Sequence, residues 1–376
     1  MTLTTRRRFV CGAPAFFGGS AILSACSQGS DAEGYEAVAR QTWRLGPLEG
    51  FEGAALSREL VRYATLAPSS HNTQCWKFAI KGKGITILPD LSRRTPAVDP
   101  DDHHLFVSLG CVAENLVQAA LAHGLKGEAG LDPASDAIRV TLAPTRSQAT
   151  ASFKAIPQRQ CTRGDYDAQP LSNEDLHLLE RAGTAEGVRV LLLTDRGKME
   201  QVLDHVVQGN TAQMADTAFV KELKAWIRFN SADAVRTGDG LYSVSSGNPS
   251  IPNWIGDLAF GLFFTPKSEN ERYTQQIRNS AGIAVFVSER NDKAHWVEAD
   301  RCYERFALQA TALGIRNAFL NQPVEVGAMR PQFASWLGIG LNQRPDLVVR
   351  FGRGPAMPPS MRRPVPACAG SPRMTA

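Results

Sequence analysis

The sequence predicts an α+β protein built from two fused, pseudo-symmetric halves, and three observations carry that expectation. Residues 108–125 (SLGCVAENLVQAALAHGL) align without a gap on residues 298–315 (EADRCYERFALQATALGI), so that Glu114 meets Glu304, Ala120 meets Ala310, Ala122 meets Ala312 and Gly124 meets Gly314. Short β-rich runs surround both copies of this helical pattern. The chain of 376 residues is long enough for two medium domains with cores of their own. Self-similarity of this kind marks a repeated unit, and two copies in one chain form the equivalent of a symmetric dimer.

Composition excludes several classes. With 43% hydrophobic and 21% charged residues the chain is ordinary globular protein, not a disordered one. Its 41 Lys+Arg against 37 Asp+Glu leave a net charge of +4, too slight and too scattered for a nucleic-acid groove. Residues 1–25 hold three arginines and no acid, so most of that surplus belongs to the N-terminus.

There, Thr5-Arg6-Arg7-Arg8-Phe9-Val10 precedes an apolar, small-residue stretch from Cys11 to Ala25. At about fifteen residues it is too short to span a bilayer, and charge followed by a short apolar run is the layout of an export signal. The Thr-Arg-Arg-x-Phe-Val order resembles a twin-arginine signal. Leu23-Ser24-Ala25-Cys26, followed by polar Ser27-Gln28-Gly29, resembles a lipobox, in which Cys26 would become the lipidated first residue. The expectation is a signal over 1–25, a linker over 26–50, and a protein lipid-anchored in the periplasm or cell envelope and not membrane-spanning. No later segment offers eighteen consecutive apolar residues, and the remainder is read as soluble.

The elements follow in order. Leu56-Ser57-Arg58-Glu59-Leu60 reads as a Ser-headed helix start. Trp76–Ile80 and Gly84–Leu88 flank a Lys81-Gly82-Lys83 turn and read as a hairpin. Leu105, Leu109, Val112, Leu116 and Ala120 recur at helical spacing, with Gly124 placed to end the helix. Ala137–Leu142 is a strand and 143–155 a linker, giving a first half over 51–143 and a second over 156–366. In the second, Ser172 heads a helix, Val188–Leu193, Gly282–Ser288 and Leu347–Phe351 are strands, and Cys302, Phe306, Ala310 and Leu313 mark the second core helix before Gly314. The turn-rich, aromatic segment 238–254 reads as a long loop able to cover a site.

The most specific segment is Ala67-Pro68-Ser69-Ser70-His71-Asn72-Thr73-Gln74-Cys75-Trp76, whose short polar side chains and tight turn can present amide and hydroxyl groups to a planar, heteroatom-rich ligand. It resembles the Ala-Pro-Ser-Ser-x-Asn-x-Gln-Pro-Trp signature of the nitroreductase family, with Cys75 in place of Pro. Arg159-Gln160-Cys161-Thr162-Arg163 resembles that family's opening Arg-Arg-Ser-x-Arg, whose cationic ends hold the FMN phosphate; guanidinium suits phosphate because it binds bidentately and keeps its charge. Leu320-Asn321-Gln322-Pro323 is similar to the loop beside the flavin ring, and Ser360-Met361-Arg362-Arg363-Pro364 to the C-terminal phosphate contact.

The resemblance implies a nitroreductase-like fold and FMN as cofactor. It implies Pro68, Ser69, Ser70, Asn72 and Gln74 at the ribityl chain and ring, Gln322 at the ring edge, and Arg159, Cys161, Arg163, Arg362 and Arg363 around the phosphate. The first half has the Ser-Ser-x-Asn loop and the second the Arg opening, as in the tandem, Acg-like branch. The chain therefore reads as a monomeric pseudo-dimer with one composite flavin site. A small-molecule substrate is reduced at that site, and no side chain serves as covalent nucleophile.

Other chemistries find little support. Asp99-Pro100-Asp101-Asp102-His103-His104 is read as a helix cap, with no metal site. Gly352-Arg353-Gly354 is followed by prolines that deny it the helix of a dinucleotide fingerprint, and P-loop, Gly-x-Ser-x-Gly and Cys-x-x-Cys motifs are absent. An export signal conflicts with cytoplasmic NAD(P)H as electron donor. The expectation is an exported FMN oxidoreductase served by a membrane or extracytoplasmic donor. Its alternatives are an FMN storage or sequestration protein with little turnover, and a cofactor-free tethered binding protein.

Overall fold

The computed structural model describes residues 33–82 and 84–368. The signal over 1–25, Cys26, and Lys83 of the hairpin turn lie outside the described residues.

A helix over residues 33–42 comes first. In the first half, α1 (Gly53–Ala64) leads to β1 (Trp76–Lys81), β2 (Gly84–Pro89), α2 (His103–Ala122), β3 (Leu125–Asp132) and β4 (Ala137–Pro144). The strands form an antiparallel sheet ordered β1-β2-β4-β3. After the short α3 (Ala151–Ala155), the second half begins with α4 (Asn173–Ala182) and β5 (Val188–Leu193). A large insertion follows: α5 (Arg196–Ala215), α6 (Thr217–Trp226), β6 (Ile227–Arg228), α7 (Ser231–Thr237), β7 (Leu241–Tyr242), α8 (Asn253–Phe263) and α9 (Pro266–Arg278). The half resumes with β8 (Gly282–Ser288), α10 (Lys293–Ala312), β9 (Arg316–Phe319), α11 (Gln322–Glu325), α12 (Arg330–Trp336), β10 (Arg344–Gly352) and the terminal α13 (Val365–Cys368).

The second sheet is antiparallel and ordered β5-β8-β10-β9. Setting β1, β2, β3 and β4 against β5, β8, β9 and β10 makes the two sheet orders identical, with α1 matching α4 and α2 matching α10. The repeat visible in the core-helix sequence is thus a repeat of topology. The two copies differ most between their first two strands, where the first half has a tight turn and the second has the insertion.

The two 20-residue helices α2 and α10 pack against each other at the centre of the main core. They meet at Gly110, where an added Cβ would lie 2.2 Å from the Val297 carbonyl oxygen. Each helix is followed by a left-handed glycine, Gly124 at φ +76° and Gly314 at φ +71°, a conformation costly for other residues. By length and hydropathy α2 could cross a membrane, but its apolar window is mostly buried inside the protein.

Three expectations are corrected, and two helix caps are found where the sequence places them. Ser57 does not start α1; the helix begins at Gly53, because 53–55 already continue it upstream, and Ser57 Oγ donates to the Gly53 carbonyl at 3.2 Å. Ser172 does cap α4, its Oγ accepting from Asp175 N at 3.0 Å. The supposed linker at 143–155 is packed structure: β4 runs through Pro144, Thr150 caps α3, and Phe153 and Ala155 are buried. Strands β3 and β9 are additional to the reading; β3 is rich in Gly, Ala and acidic residues and owes its form to pairing with β4. The acid-rich segment before α2 is a cap, with the Asp99 carboxyl accepting from His104 N and Leu105 N, both at 3.0 Å.

Candidate functional site

A cavity of about 570 Å³ lies between the halves, within the range of about 300–1,000 Å³ typical of small-molecule sites. Its walls come from three sources. The first half supplies the loop Pro68–His71 and the α2 side chains His104, Val107, Ser108 and Cys111. The second half supplies Arg163, Asp300, Phe319, Asn321 and Leu347, and the insertion roofs the space with Phe219, Phe229, Phe260, Phe263 and Phe264. The segment 238–254 contributes Leu241, Ser243, Ser246 and Ile251 to the wall.

The loop that carries Ser69 and Ser70 is strained. His71, Asn72 and Gln74 all have positive φ, at 48°, 53° and 53°, uncommon for residues other than glycine. Hydrogen bonds over-determine this shape. Asn72 Nδ2 donates to the carbonyls of Gly240 at 2.9 Å and Met361 at 3.2 Å. Gln74 Nε2 donates to Gly238 O at 2.8 Å, Gln74 Oε1 accepts from Arg363 N at 2.8 Å, and Ser69 Oγ accepts from Gln74 N at 2.9 Å. The loop is thereby stapled to the insertion and to the C-terminal segment, leaving Pro68, Ser69 and Ser70 on the cavity.

Two guanidinium groups point into the space. Arg163 Nη1 donates to Ser246 Oγ at 3.4 Å, and Arg272 Nη2 donates to the Ser246 carbonyl. Among the described residues neither forms an ion pair with a carboxylate, which leaves a cationic end to the cavity; Glu269 also lines it, its carboxyl raised by burial with the Arg272 charge partly opposing that rise. His71 adds no charge there near neutral pH, because burial and the adjacent Arg163 push its pKa down to about 4. At the opposite side His104 Nε2 lies 3.7 Å from Glu325 Oε1, and Gln213 Nε2 donates to Glu325 Oε2 at 2.7 Å. Burial raises the Glu325 carboxyl and lowers the His104 imidazole, a pairing that favours the neutral forms. On the floor, Asp300 Oδ2 is buried without a hydrogen-bond partner, and burial holds this carboxyl well above the ordinary range.

Of the sequence-predicted residues, the structure brings Pro68, Ser69, Ser70 and Arg163 to one cavity, the first three from one half and the last from the other. The rest are turned to the chain itself. Arg159 is fully buried, its Nη2 donating to Leu66 O at 2.8 Å and its Nε 3.1 Å from Glu304 Oε1. Arg362 donates to the carbonyls of Thr65, Leu66 and Ala67, and Arg363 to those of Gln74 and Trp76. Arg159 and Arg362 thus satisfy carbonyls of the turn that follows α1, and Arg363 those at the end of the serine loop and the start of β1. Asn72 and Gln74 are staples, as described. Cys161 bridges through its backbone to Asn317 and stays off the cavity wall, and buried Gln322 packs on Gly209 of α5 while its neighbour Asn321 reaches the cavity. Arg272 and the aromatic roof escape a reading of the sequence, since only the folding of the insertion gathers them.

No family model matches the chain. It is similar along most of its length to two Mycobacterium tuberculosis proteins. One, named "Putative NAD(P)H nitroreductase Rv3131", is 26% identical over 332 residues, covering 83% of this chain and 90% of the relative. The other, named "Putative NAD(P)H nitroreductase acg", is 22% identical over 322 residues, covering 82% and 93%. These relatives support the nitroreductase resemblance. Among solved structures, a Bacteroides fragilis nitroreductase with bound FMN matches 55% of this chain and 89% of its own at 16% identity and a TM-score of 0.33. The FMN-dependent nitroreductase NfnB of Mycobacterium smegmatis, in complex with NADPH, matches 54% and 87% at 13% identity and a TM-score of 0.36.

Proposed function

We propose that this chain is an exported FMN-binding oxidoreductase of nitroreductase type, a tandem pseudo-dimer with one flavin per chain in the cavity between its halves. The observation that carries this reading is the composite cavity: the Ser69-Ser70 loop of one half and Arg163 of the other line a single space of small-molecule size. The residues suit the cofactor. Arg163 and Arg272, free of carboxylate partners among the described residues, would hold its phosphate. The hydroxyls of Ser70 and Ser246 would take the ribityl chain, and Val107, Phe319 and Leu347 offer apolar contact to the ring. Bound there, FMN would supply the hydride and electron chemistry. The chain's own part is to bind, to orient and, through the phenylalanine roof, to exclude water.

The relatives' names point to NAD(P)H as donor, while the N-terminal arginine motif points to export and so to a membrane or extracytoplasmic donor. Cys26 is the lipidation site in this reading. The test is a flavin count on the purified chain, followed by anaerobic addition of NADPH and then of dithionite while oxidised-flavin absorbance is followed. One FMN per chain, bleached by dithionite and not by NADPH, is the expected result. Prompt bleaching by NADPH would instead assign a conventional reductase. A chain that stays colourless after FMN addition would overturn the proposal, and two flavins per chain would overturn the single composite site.

A further inference from the structure

Helix α8 is apolar on both of its faces. Inward, Gly256, Ala259 and Phe260 line the cavity, and the helix sits so close that a Cβ on Gly256 would come within 2.3 Å of the Phe229 ring. Outward, Trp254, Leu258 and Leu262 recur at i, i+4 and i+8, and together with Phe263 they are 73%, 60%, 62% and 73% exposed. A contiguous apolar stripe of this kind marks an interaction surface. The acid nearest it, Asp257, is matched by Lys224 at 3.0 Å. Phe263 belongs to both faces, exposed and yet part of the cavity lining, so the stripe reaches the mouth of the cavity.

The start of the described chain packs on the region that holds the N-terminus of α8. The helix over 33–42 packs through Tyr35 on Ala234 of α7 and on Tyr242, with the two tyrosine rings 4.6 Å apart. From the same α7 region, Asn230 and Asp233 hold the side chain of Asn253, the first residue of α8, at 2.8 and 2.5 Å. Cys26 precedes residue 33 by seven positions, a reach of at most about 25 Å. A lipid on Cys26 would hold α8 at the membrane surface.

We propose that α8 docks on a lipid bilayer, with Trp254, Leu258, Leu262 and Phe263 entering the boundary between headgroups and acyl chains and the cavity mouth facing the lipid. An interfacial helix sinks its apolar face about 5–10 Å into that boundary, the depth of one layer of large side chains. The tether rests on the lipoprotein reading of Cys26; the surface itself does not, and neither depends on flavin.

The test uses the full chain, unlipidated, with vesicles of phosphatidylcholine and phosphatidylglycerol carrying brominated acyl chains, which quench tryptophan on contact. Residues 1–32 contain no Trp, so binding by the N-terminus alone cannot quench. The difference in emission between the chain and its Trp254→Phe variant isolates Trp254. That component should be quenched about twofold or more, and Leu258→Gln with Leu262→Gln should weaken vesicle co-sedimentation about tenfold. Co-sedimentation without quenching of Trp254 would assign binding to the N-terminal segment and overturn the proposal. A dimer that shields Trp254 in the absence of vesicles would give the stripe to a second copy, and failure to bind vesicles would give it to neither; both outcomes overturn it. A colourless protein still decides the question, so failure here is distinct from failure of the flavin reading.

Discussion

Arg362 donates from Nη1 to Asn72 Oδ1 at 3.0 Å, joining the C-terminal segment to the strained serine loop. The same guanidinium donates to Thr65 O at 2.7 Å and to Leu66 O and Ala67 O at 3.0 Å each. Removing it strands three buried acceptors, since Leu66 O keeps its bond from Arg159 Nη2. Arg362→Ala should therefore lower stability by about 3–5 kcal/mol in urea denaturation, and Arg362→Lys should recover little, because an ammonium lacks the fork that serves several carbonyls. Unchanged stability with weakened FMN binding would return Arg362 to the role its motif suggested.

Arg163 and Arg272 should behave in the opposite way. Each carries charge into the cavity and neither braces the main core. Arg163→Ala and Arg272→Ala should each weaken FMN binding about tenfold to a hundredfold, the worth of one charge-assisted phosphate contact, read by titration of flavin fluorescence. FMN lacking its phosphate should lose affinity for the unaltered chain and be nearly indifferent to both substitutions. Equal losses for the two ligands would place the phosphate elsewhere.

Asp300 gives a pH prediction with a definite sign. Burial, with Asp346 and Glu304 adding repulsion, raises its folded pKa well above the unfolded value, so the folded state keeps a proton that the unfolded state releases. Its contribution is complete at pH values below the unfolded pKa and is lost as pH rises through the folded one. The loss runs at up to about 1.4 kcal/mol per pH unit. Asp300→Asn has no such proton to lose. Its melting temperature should rise relative to the unaltered chain between pH 4 and pH 8; parallel curves in calorimetry would mean that the carboxyl is ionised in the folded protein.

Gly110 sets how closely the halves approach. With the Val297 carbonyl 2.2 Å from any added Cβ and Asp300 Cβ at 2.9 Å, Gly110→Ala should cost about 3 kcal/mol. Because α2 and α10 belong to different halves, the damage should appear as a lower unfolding midpoint with both sheets affected together.

The repeat could be read from the chain because core helices impose a strict period. Leu109, Val112 and Leu116 must face one direction, and so must Cys302 and Phe306, whatever surrounds them. The serine loop was legible for a related reason, since a turn with three left-handed residues tolerates few sequences. The arginines are harder to place, because guanidinium satisfies a row of carbonyls as readily as a phosphate, and a motif cannot say which it faces. Arg159 and Arg163 are four apart in sequence, yet one is sealed against Glu304 and the other opens on the cavity. Arg272 and the phenylalanine roof had no sequence signal, because they converge only when α5–α9 fold over the second sheet.

That insertion also breaks the molecule's internal equality. Two like halves cut apart would be free to pair with copies of themselves. Here one fragment carries the serine loop on a bare hairpin and the other carries its own cover, so each supplies what the other lacks. Co-expressed as separate polypeptides, they have reason to assemble as an unlike pair. The two halves fit as a lock and its key, and neither can be exchanged for a second copy of the other.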